Sequence, residues 1–179
     1  MPKPVRDGLL IRSALPGDAA NLTALATQVF LHTYATQGIS AVISAHVQSE
    51  FTPTKFAAWI GSETAQILVA EERAHLVGYA RITFDAVCPE RSASSVELAT
   101  LYVLEHFARQ GVGSALLAQA QALAWQYTHQ PLWLTINAQN TRAVAYYAAH
   151  RYTKIGTAWF VLGAGRHENH VLVAPDGPG

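Results

Sequence analysis

The sequence predicts a mixed α/β fold, a central sheet with helices packed on its faces. Two observations carry this. Apolar runs switch between the alternating spacing of strands and the three-to-four-residue spacing of helices, in the order strand, helix, short helices, three strands, helix, strand, helix and two strands. The length, 179 residues of which 50% are apolar, suits one domain with a sizeable core. No internal repeat or low-complexity segment interrupts the chain. Its loops are short apart from Ala86–Ser95, so residues 1–179 read as a single domain.

Each element has a local reason. Gly8–Ala14 ("GLLIRSA") is a short apolar run, a first strand. Leu15–Ala35 opens with Pro16 near a helix start and continues with apolar residues at helical spacing. Ile39–Phe51 and Thr52–Ser62 read as further short helices, with Thr52 and Pro53 as N-cap and first-turn pair. Ala65–Glu72 and His75–Asp85 are strand-like runs flanking "EERA", a hairpin. Ala86–Ser95 is polar and carries a proline, hence a loop, and Val96–Leu104 is the next strand. Gly111–His129 is a helix with Val112, Leu116, Ala120, Leu123, Ala124 and Tyr127 on one stripe. Pro131–Asn137 has the composition of a buried strand, and Thr141–His150 is a helix. Tyr152–Gly163 and Asn169–Ala174 are closing strands, and the tail "PDGPG" is expected to fray.

Composition narrows the partners. Lys+Arg and Asp+Glu number 12 each, so the basic excess of a nucleic-acid binder is missing. The single cysteine, Cys88, excludes an internal disulfide framework and suits a reducing cytoplasm. The opening "MPKPVRDGLL" has no apolar run of signal-peptide length. No stretch approaches the roughly 18 apolar residues of a membrane span. A soluble, cytoplasmic chain without nucleic-acid or membrane partners is expected, and a homodimer is compatible with it. His167 and His170 lie three apart without a carboxylate or cysteine partner at metal-ligand spacing, so no metal is expected. Nothing around Cys88 marks it as a nucleophile.

The stretch Ala108–Leu117, "ARQGVGSALL", places Gly111 and Gly113 just before the long helix. Glycines let a ligand approach the backbone closely, and the first helical turn offers N–H groups at a positive dipole end. Together they can hold a phosphate without any lysine. A strand-to-helix turn that needs glycine for its own geometry accounts for them equally well. A P-loop is excluded because Ser114 and Ala115 follow Gly113, and a dinucleotide fingerprint because its third glycine is Leu116 here.

Two motifs in correct order carry a family resemblance. Val96–Ala120, "VELATLYVLEHFARQGVGSALLAQA", resembles the central motif of the GNAT N-acetyltransferase superfamily, whose turn reads Arg/Gln-x-x-Gly-x-Gly/Ala. Leu132–Tyr152, "LWLTINAQNTRAVAYYAAHRY", is similar to its second half, with Asn140, Ala143, Tyr146 and Tyr147 in register with Asn-x-x-Ala-x-x-aromatic-Tyr. The resemblance covers Val96–Tyr152 closely. It implies a GNAT-like, mostly antiparallel mixed sheet flanked by helices on both faces. Two positions depart from the pattern: Ala108 stands at the usual Arg/Gln, and Arg151 at a usual glycine.

The resemblance implies acetyl-CoA as donor and an amine as acceptor. The pyrophosphate would sit on the N–H groups of Arg109, Gln110, Gly111, Val112, Gly113 and Ser114. Pantetheine would lie along the backbone of Leu101, Tyr102 and Val103, whose side chains also suit a core. Asn140, Ala143 and Tyr147 share one helix face, and about 10 Å along the axis separates the first from the last. Family analogy makes Tyr147 the acid that protonates the departing thiolate, with Tyr146 turned elsewhere. A free amine must form from an ammonium of pKa near 10.4, and Glu97, the sole acid of its strand, is the candidate base. A structural glutamate, paired with an Arg or with backbone N–H groups, is the alternative for Glu97.

N-terminal helices wall the acceptor site in this family, so Phe30, His32 and Tyr34 are candidates there, with a helix core as the competing role. "FLHTY" also resembles the F-x-E-T-Y of members related to polyamine acetyltransferases, but His32 replaces the acid and a polyamine substrate does not carry over. The expected activity is direct acetyl transfer to a small-molecule primary amine. Peptide N-terminus or lysine acetylation, and a non-catalytic acetyl-CoA sensor, are the alternatives.

Overall fold

The computed structural model describes residues 8–90, 94–162 and 164–177, with Leu162 described by its backbone alone. The first seven residues, 91–93 of the long loop, Gly163 at the expected end of the Tyr152–Gly163 strand, and the last two of the tail lie outside the described residues.

The elements follow the expected order: β1 (Leu9–Ser13), α1 (Ala19–Tyr34), α2 (Ala41–Glu50), α3 (Pro53–Ile60), β2 (Ala65–Glu72), β3 (His75–Thr83), β4 (Glu97–Val103), α4 (Val112–Thr128), β5 (Trp133–Asn137), α5 (Thr141–Ala149), β6 (Thr153–Leu162) and β7 (Gly165–Val173). The strands form one mixed, mostly antiparallel sheet in the order β1-β2-β3-β4-β5-β7-β6. The pairs β1–β2, β5–β7 and β6–β7 are antiparallel, whereas β4 and β5 run parallel. A single 3-10 turn precedes α1, and another, Glu105–Phe107, follows β4.

The fold divides into two compact units. The first comprises the described residues of Met1–Arg81 with Thr100–Gln119. Its core joins Leu22, Leu25 and Ala26 of α1 to Phe56 of α3 and to Ile67, Val69 and Tyr79 of the sheet. Thr52 caps α3 as expected, its hydroxyl accepting the Lys55 N–H at 3.2 Å. Arg12 of β1 ties the edge to the entry of α1: its guanidinium bonds both Asp18 oxygens, at 2.7 and 3.1 Å, and Glu71 at 2.6 Å. The two faces of β3 serve different partners. Tyr79 packs under Phe56, whereas a Cβ at Gly78 would lie 2.8 Å from the Tyr102 carbonyl oxygen and 3.2 Å from Leu116 of α4. Only glycine permits that approach of β3 to β4.

The second unit comprises the described residues of Ile82–Ala99 and Ala120–Gly179. Leu132, Trp133 and Leu134 of the β5 segment are buried with Val171 and Leu172 of β7. The long loop is pinned at its far end, where Ser94 donates to the Pro131 carbonyl and Ser95 to the Gln130 amide oxygen. Glu90 lies over a bulge in β6 at Gly156, where a Cβ would overlap its side chain.

Two expectations are corrected here. Ala120 and Ala124 lie on the buried stripe of α4, but Tyr127 is 67% exposed, because the last turn of α4 runs past the core. Strand β7 begins at Gly165 rather than Asn169, because the β6–β7 pairing continues from Thr153–Val173 to Leu162–Gly165 and carries the polar Arg166–Glu168 with it. Among the described residues, no helix is long and apolar enough to cross a membrane, and no group of three His, Cys, Asp or Glu could hold a metal ion.

Candidate active site

The glycine turn belongs to the first unit. Strand β4 ends as the Leu104 N–H donates to the Val77 carbonyl at 3.0 Å, and the 3-10 turn closes through Phe107 N–H to Leu104 O and Ala108 N–H to Glu105 O. Ala108 is extended (φ −66°, ψ 149°). The chain then turns left-handed at Arg109 (φ 60°) and again at Gly111 (φ 88°). Gln110 braces the bend by donating its side-chain amide to the His106 carbonyl at 2.6 Å. The first bond of α4 runs from Ala115 N–H to Gly111 O at 2.9 Å. Gly111 therefore stands just outside the helix and Gly113 within its first turn. The N–H groups of Val112 and Gly113 have no carbonyl ahead of them in the helix. Backbone that reverses hand over successive residues turns its N–H groups into one concavity, an anion-binding shape, and the helix end adds positive potential. The left-handed Arg109 is the feature that the sequence conceals, since arginine does not announce positive φ.

Leu101, Tyr102 and Val103 form the end of β4 and are half-buried. Of the acceptor candidates, Phe30 is buried, its ring 4.6 Å from that of His46 and 4.8 Å from that of Tyr34. His32 is 60% exposed at its side chain, with Nε2 3.7 Å from a Glu105 oxygen, and Tyr34 is 42% exposed.

The remaining candidates belong to the second unit. Glu97 opens β4, half-buried, in parallel register with Trp133 of β5, whose N–H donates to the Val96 carbonyl at 3.0 Å. Sequence alone did not single out Trp133, because its pairing with Glu97 is a tertiary fact. Asn140 is corrected in one respect: it is the N-cap of α5 rather than a member of the helical face. Its side-chain oxygen accepts the Ala143 N–H at 3.1 Å, which leaves the amide NH2 as the group to turn outward. Tyr147 is buried, and burial first, then the neighbouring Tyr146 and Tyr152 phenols, push its ionisation well above the ordinary range. The phenol is thus protonated throughout the neutral range. Tyr146 packs edge-on to Tyr147 at 5.1 Å and against His150 at 4.3 Å.

The departure at Arg151 has a structural meaning. Arg151 closes α5 in the left-handed region at φ 63°, its N–H bonded to Ala148 O, while the Tyr152 N–H reaches back to Tyr147 O, both at 3.0 Å. This is the helix-end geometry that glycine adopts without penalty. The chain keeps the geometry and does without the glycine.

Comparisons with known proteins agree with the sequence motifs. The family model described as "Acetyltransferase (GNAT) family" matches residues 31–151, more than half of the chain. An uncharacterised N-acetyltransferase of Mycobacterium tuberculosis is 28% identical over 156 residues, covering 87% of this chain and 96% of the relative. Among solved structures, the PaiA N-acetyltransferase of Thermoplasma acidophilum in complex with coenzyme A aligns at TM-score 0.70 and 17% identity, over 90% of this chain and 97% of that one. The YncA protein of Salmonella typhimurium with its cofactor acetyl-CoA aligns at TM-score 0.71 and 20% identity, over 97% of this chain and 99% of that one. The two structures share its fold, and on the family match the chain belongs to the acetyltransferase (GNAT) family.

Proposed function

We propose that this chain transfers an acetyl group from acetyl-CoA directly to a primary amine of a small molecule. The observation that carries the reading is the turn through Arg109 and Gly111 into the N-terminus of α4. Its reversed backbone and helix-end N–H groups suit a pyrophosphate. Arg109, Gln110, Gly111, Val112, Gly113 and Ser114 would hold it through main-chain N–H groups. With Ala108 in place of a longer side chain, the main chain takes more of that task. The backbone of Leu101, Tyr102 and Val103 would pair with the pantetheine amides. Asn140 would offer its amide NH2, and the small Ala143 would permit close approach.

Bound acetyl-CoA supplies an acyl group activated as a thioester. Glu97 takes the proton from the acceptor ammonium, which frees the lone pair that forms the new C–N bond. Tyr147, held protonated by burial, gives its proton to the sulfur as the C–S bond breaks, and the second proton shed by the nitrogen restores the phenol, so the products are an amide, CoA thiol and the proton carried by Glu97. Direct transfer is preferred because no activated nucleophile stands among the candidates.

Calorimetry tests the reading. Acetyl-CoA is expected to bind in the micromolar range, and Gly113→Leu, which favours the helix but fills the cradle, is expected to abolish that binding while the melting temperature holds. Unchanged affinity in Gly113→Leu would remove the cradle from the mechanism. A panel of amines assayed for CoA-thiol release identifies the acceptor.

A further inference from the structure

We propose that the free edge of β6 pairs with the same edge of a second copy of this chain, antiparallel and two-fold about Phe160. The residues concerned belong to the second unit.

Strand β6 ends the sheet: β7 flanks it on one side, and among the described residues no strand flanks it on the other. Two bonds fix which of its main-chain groups are free. The Ala138 N–H donates to the Glu168 carbonyl at 2.9 Å, so Glu168 turns its main chain to β5 and away from β6. Trp159, opposite Glu168, is then in a non-hydrogen-bonded pair with β7, and its own N–H and C=O point outward. The Thr157 N–H has the same parity, since it reaches the Glu90 carboxylate at 3.4 Å rather than β7. Alternation turns the main-chain groups of Val161 outward too, and those of Phe160 inward.

The side chains at this edge are apolar on both faces. Trp159 (52% exposed) and Val161 (66%) share one face, and Phe160 (45%) takes the other. Arg166 of β7 stacks on the Trp159 ring, 4.0 Å from its centroid, and leaves the ring half-exposed. Natural edges are blunted by charge, proline, a bulge or a covering segment. Among the described residues, β6 has such devices in its first half: Lys154, the bulge at Gly156 and the Glu90 carboxylate on Thr157. From Ala158 to Leu162, "AWFVL", it has neither charge nor proline. Outward main-chain groups and exposed apolar side chains coincide over the same residues.

These features select the partner. A strand added here is met on both faces, so it must be apolar at successive positions and carry no charge at its centre. Trp159, Phe160 and Val161 of a second copy meet that demand. With Phe160 on the axis, Trp159 lies opposite Val161 of the second copy, and each such pair exchanges both main-chain bonds. The two Phe160 side chains form the non-hydrogen-bonded pair on the other face, the pairing that brings side chains closest. In the row across the junction, Arg166 lies beyond Val161, and Glu168 of the second copy lies beyond its Trp159, so opposite charges flank the apolar centre. A net charge of zero leaves no overall repulsion between copies. So short a junction belongs to the small class of interfaces, and a dimer in exchange with monomer at micromolar concentration is expected.

Sedimentation velocity over about 1–200 μM, which brackets a micromolar Kd, reads the association. The wild-type mass is expected to rise from that of one chain toward that of two. Val161→Pro removes an outward N–H that β7 does not use, so the hairpin and the melting temperature should hold while association weakens about 10-fold or more. Val161→Lys, which puts a charge at the centre of the junction, is expected to remove association with the fold intact. A wild type that stays monomeric throughout overturns the proposal, as does a dimer equally strong in both folded variants. Oxidative crosslinking tests the two-fold register in a Cys88→Ser background. Phe160→Cys is expected to form a disulfide with its own copy, since the Cα separation of a non-hydrogen-bonded pair, about 4.5 Å, suits one. Val87→Cys, at a position 91% exposed, gives the rate of random collision. Crosslinking of Phe160→Cys no faster than that of Val87→Cys overturns the register.

Discussion

The rings of Tyr147 and Tyr152 meet edge-on at 5.2 Å across the end of α5, and the Tyr152 N–H returns to the Tyr147 carbonyl at 3.0 Å. The proposed proton donor is thus built into the terminus of its own helix. Its position depends on one left-handed residue, Arg151, between the two tyrosines' backbones.

Arg151→Gly should therefore stabilise the protein. A side chain in the left-handed region costs about 1–2 kcal/mol, and the added freedom of glycine in the unfolded chain offsets part of the gain. A net gain of about 1 kcal/mol corresponds to a rise of about 2–4 °C in melting temperature for a chain of this size. A fall on thermal melting would show that the Arg151 side chain makes contacts worth more than the strain.

The connection between β2 and β3 presents the same situation twice. Arg73 (φ 50°) and Ala74 (φ 63°) are the two loop residues, both left-handed, as a tight hairpin turn of matching twist requires. Replacing the pair with Asn-Gly should raise stability by about 1 kcal/mol or more, read as a higher denaturation midpoint at unchanged slope. A lowered midpoint would contradict this account of the turn.

These positions mark where legibility in the sequence ends. The order of elements could be read because spacing of two and of 3.6 is written in side-chain polarity. The cap at Thr52 could be read because a hydroxyl before a proline has one common use. The hand of the backbone at Arg73, Arg109 and Arg151 could not, since nothing in an arginine signals positive φ. Tyr127 misled because helical spacing continues past the point where the core stops. The start of β7 was hidden because half of "GRHE" faces solvent and the segment lacks the apolar alternation that marks a strand. At the candidate site, the motif spacing named Gly111, Asn140 and Tyr147. The cap bond of Asn140, the burial of Tyr147 and the pairing of Glu97 with Trp133 are products of packing.

Asp18 should govern part of the acid stability. Its hydrogen bonds to Arg12, against the cost of burial, hold its carboxyl below the ordinary range, and the Leu15 N–H adds to this. A depressed folded-state pKa gives stability that is present above the unfolded value of about 3.9 and is lost as pH falls through the folded value. The unfolding free energy should decline below about pH 4–5, and Asp18→Asn should be less stable at pH 7 yet lose less on acidification. Equal acid slopes in the two proteins would exclude Asp18 as a contributor.

Tyr147→Phe should lower kcat by about 10²-fold, the low end for acid catalysis because a thiolate departs with little help. Acetyl-CoA affinity measured by calorimetry should change little, as the ring and its packing remain. Burial raises the phenol's ionisation, so wild type should show no alkaline loss from this group below about pH 10. A wild-type rate in Tyr147→Phe, where chemistry limits turnover, would reassign the proton to solvent.

Glu97 should set the acid limb of the pH–rate profile. The acceptor amine is an ammonium near neutrality and must lose a proton before or during attack. Glu97 opens β4 and is the only acid in that strand. In Glu97→Gln, kcat/KM should fall by about 10²–10⁴-fold, the range of general-base catalysis. Raising the pH should restore part of the rate, since more free amine is then present without help. A purely structural carboxylate behaves differently: its loss lowers the melting temperature and acetyl-CoA affinity together, and high pH rescues neither. A folded Glu97→Gln protein with normal acetyl-CoA affinity and an unaltered profile would remove Glu97 from the mechanism. His32, beside Glu105 in the first unit, would be the next base to replace.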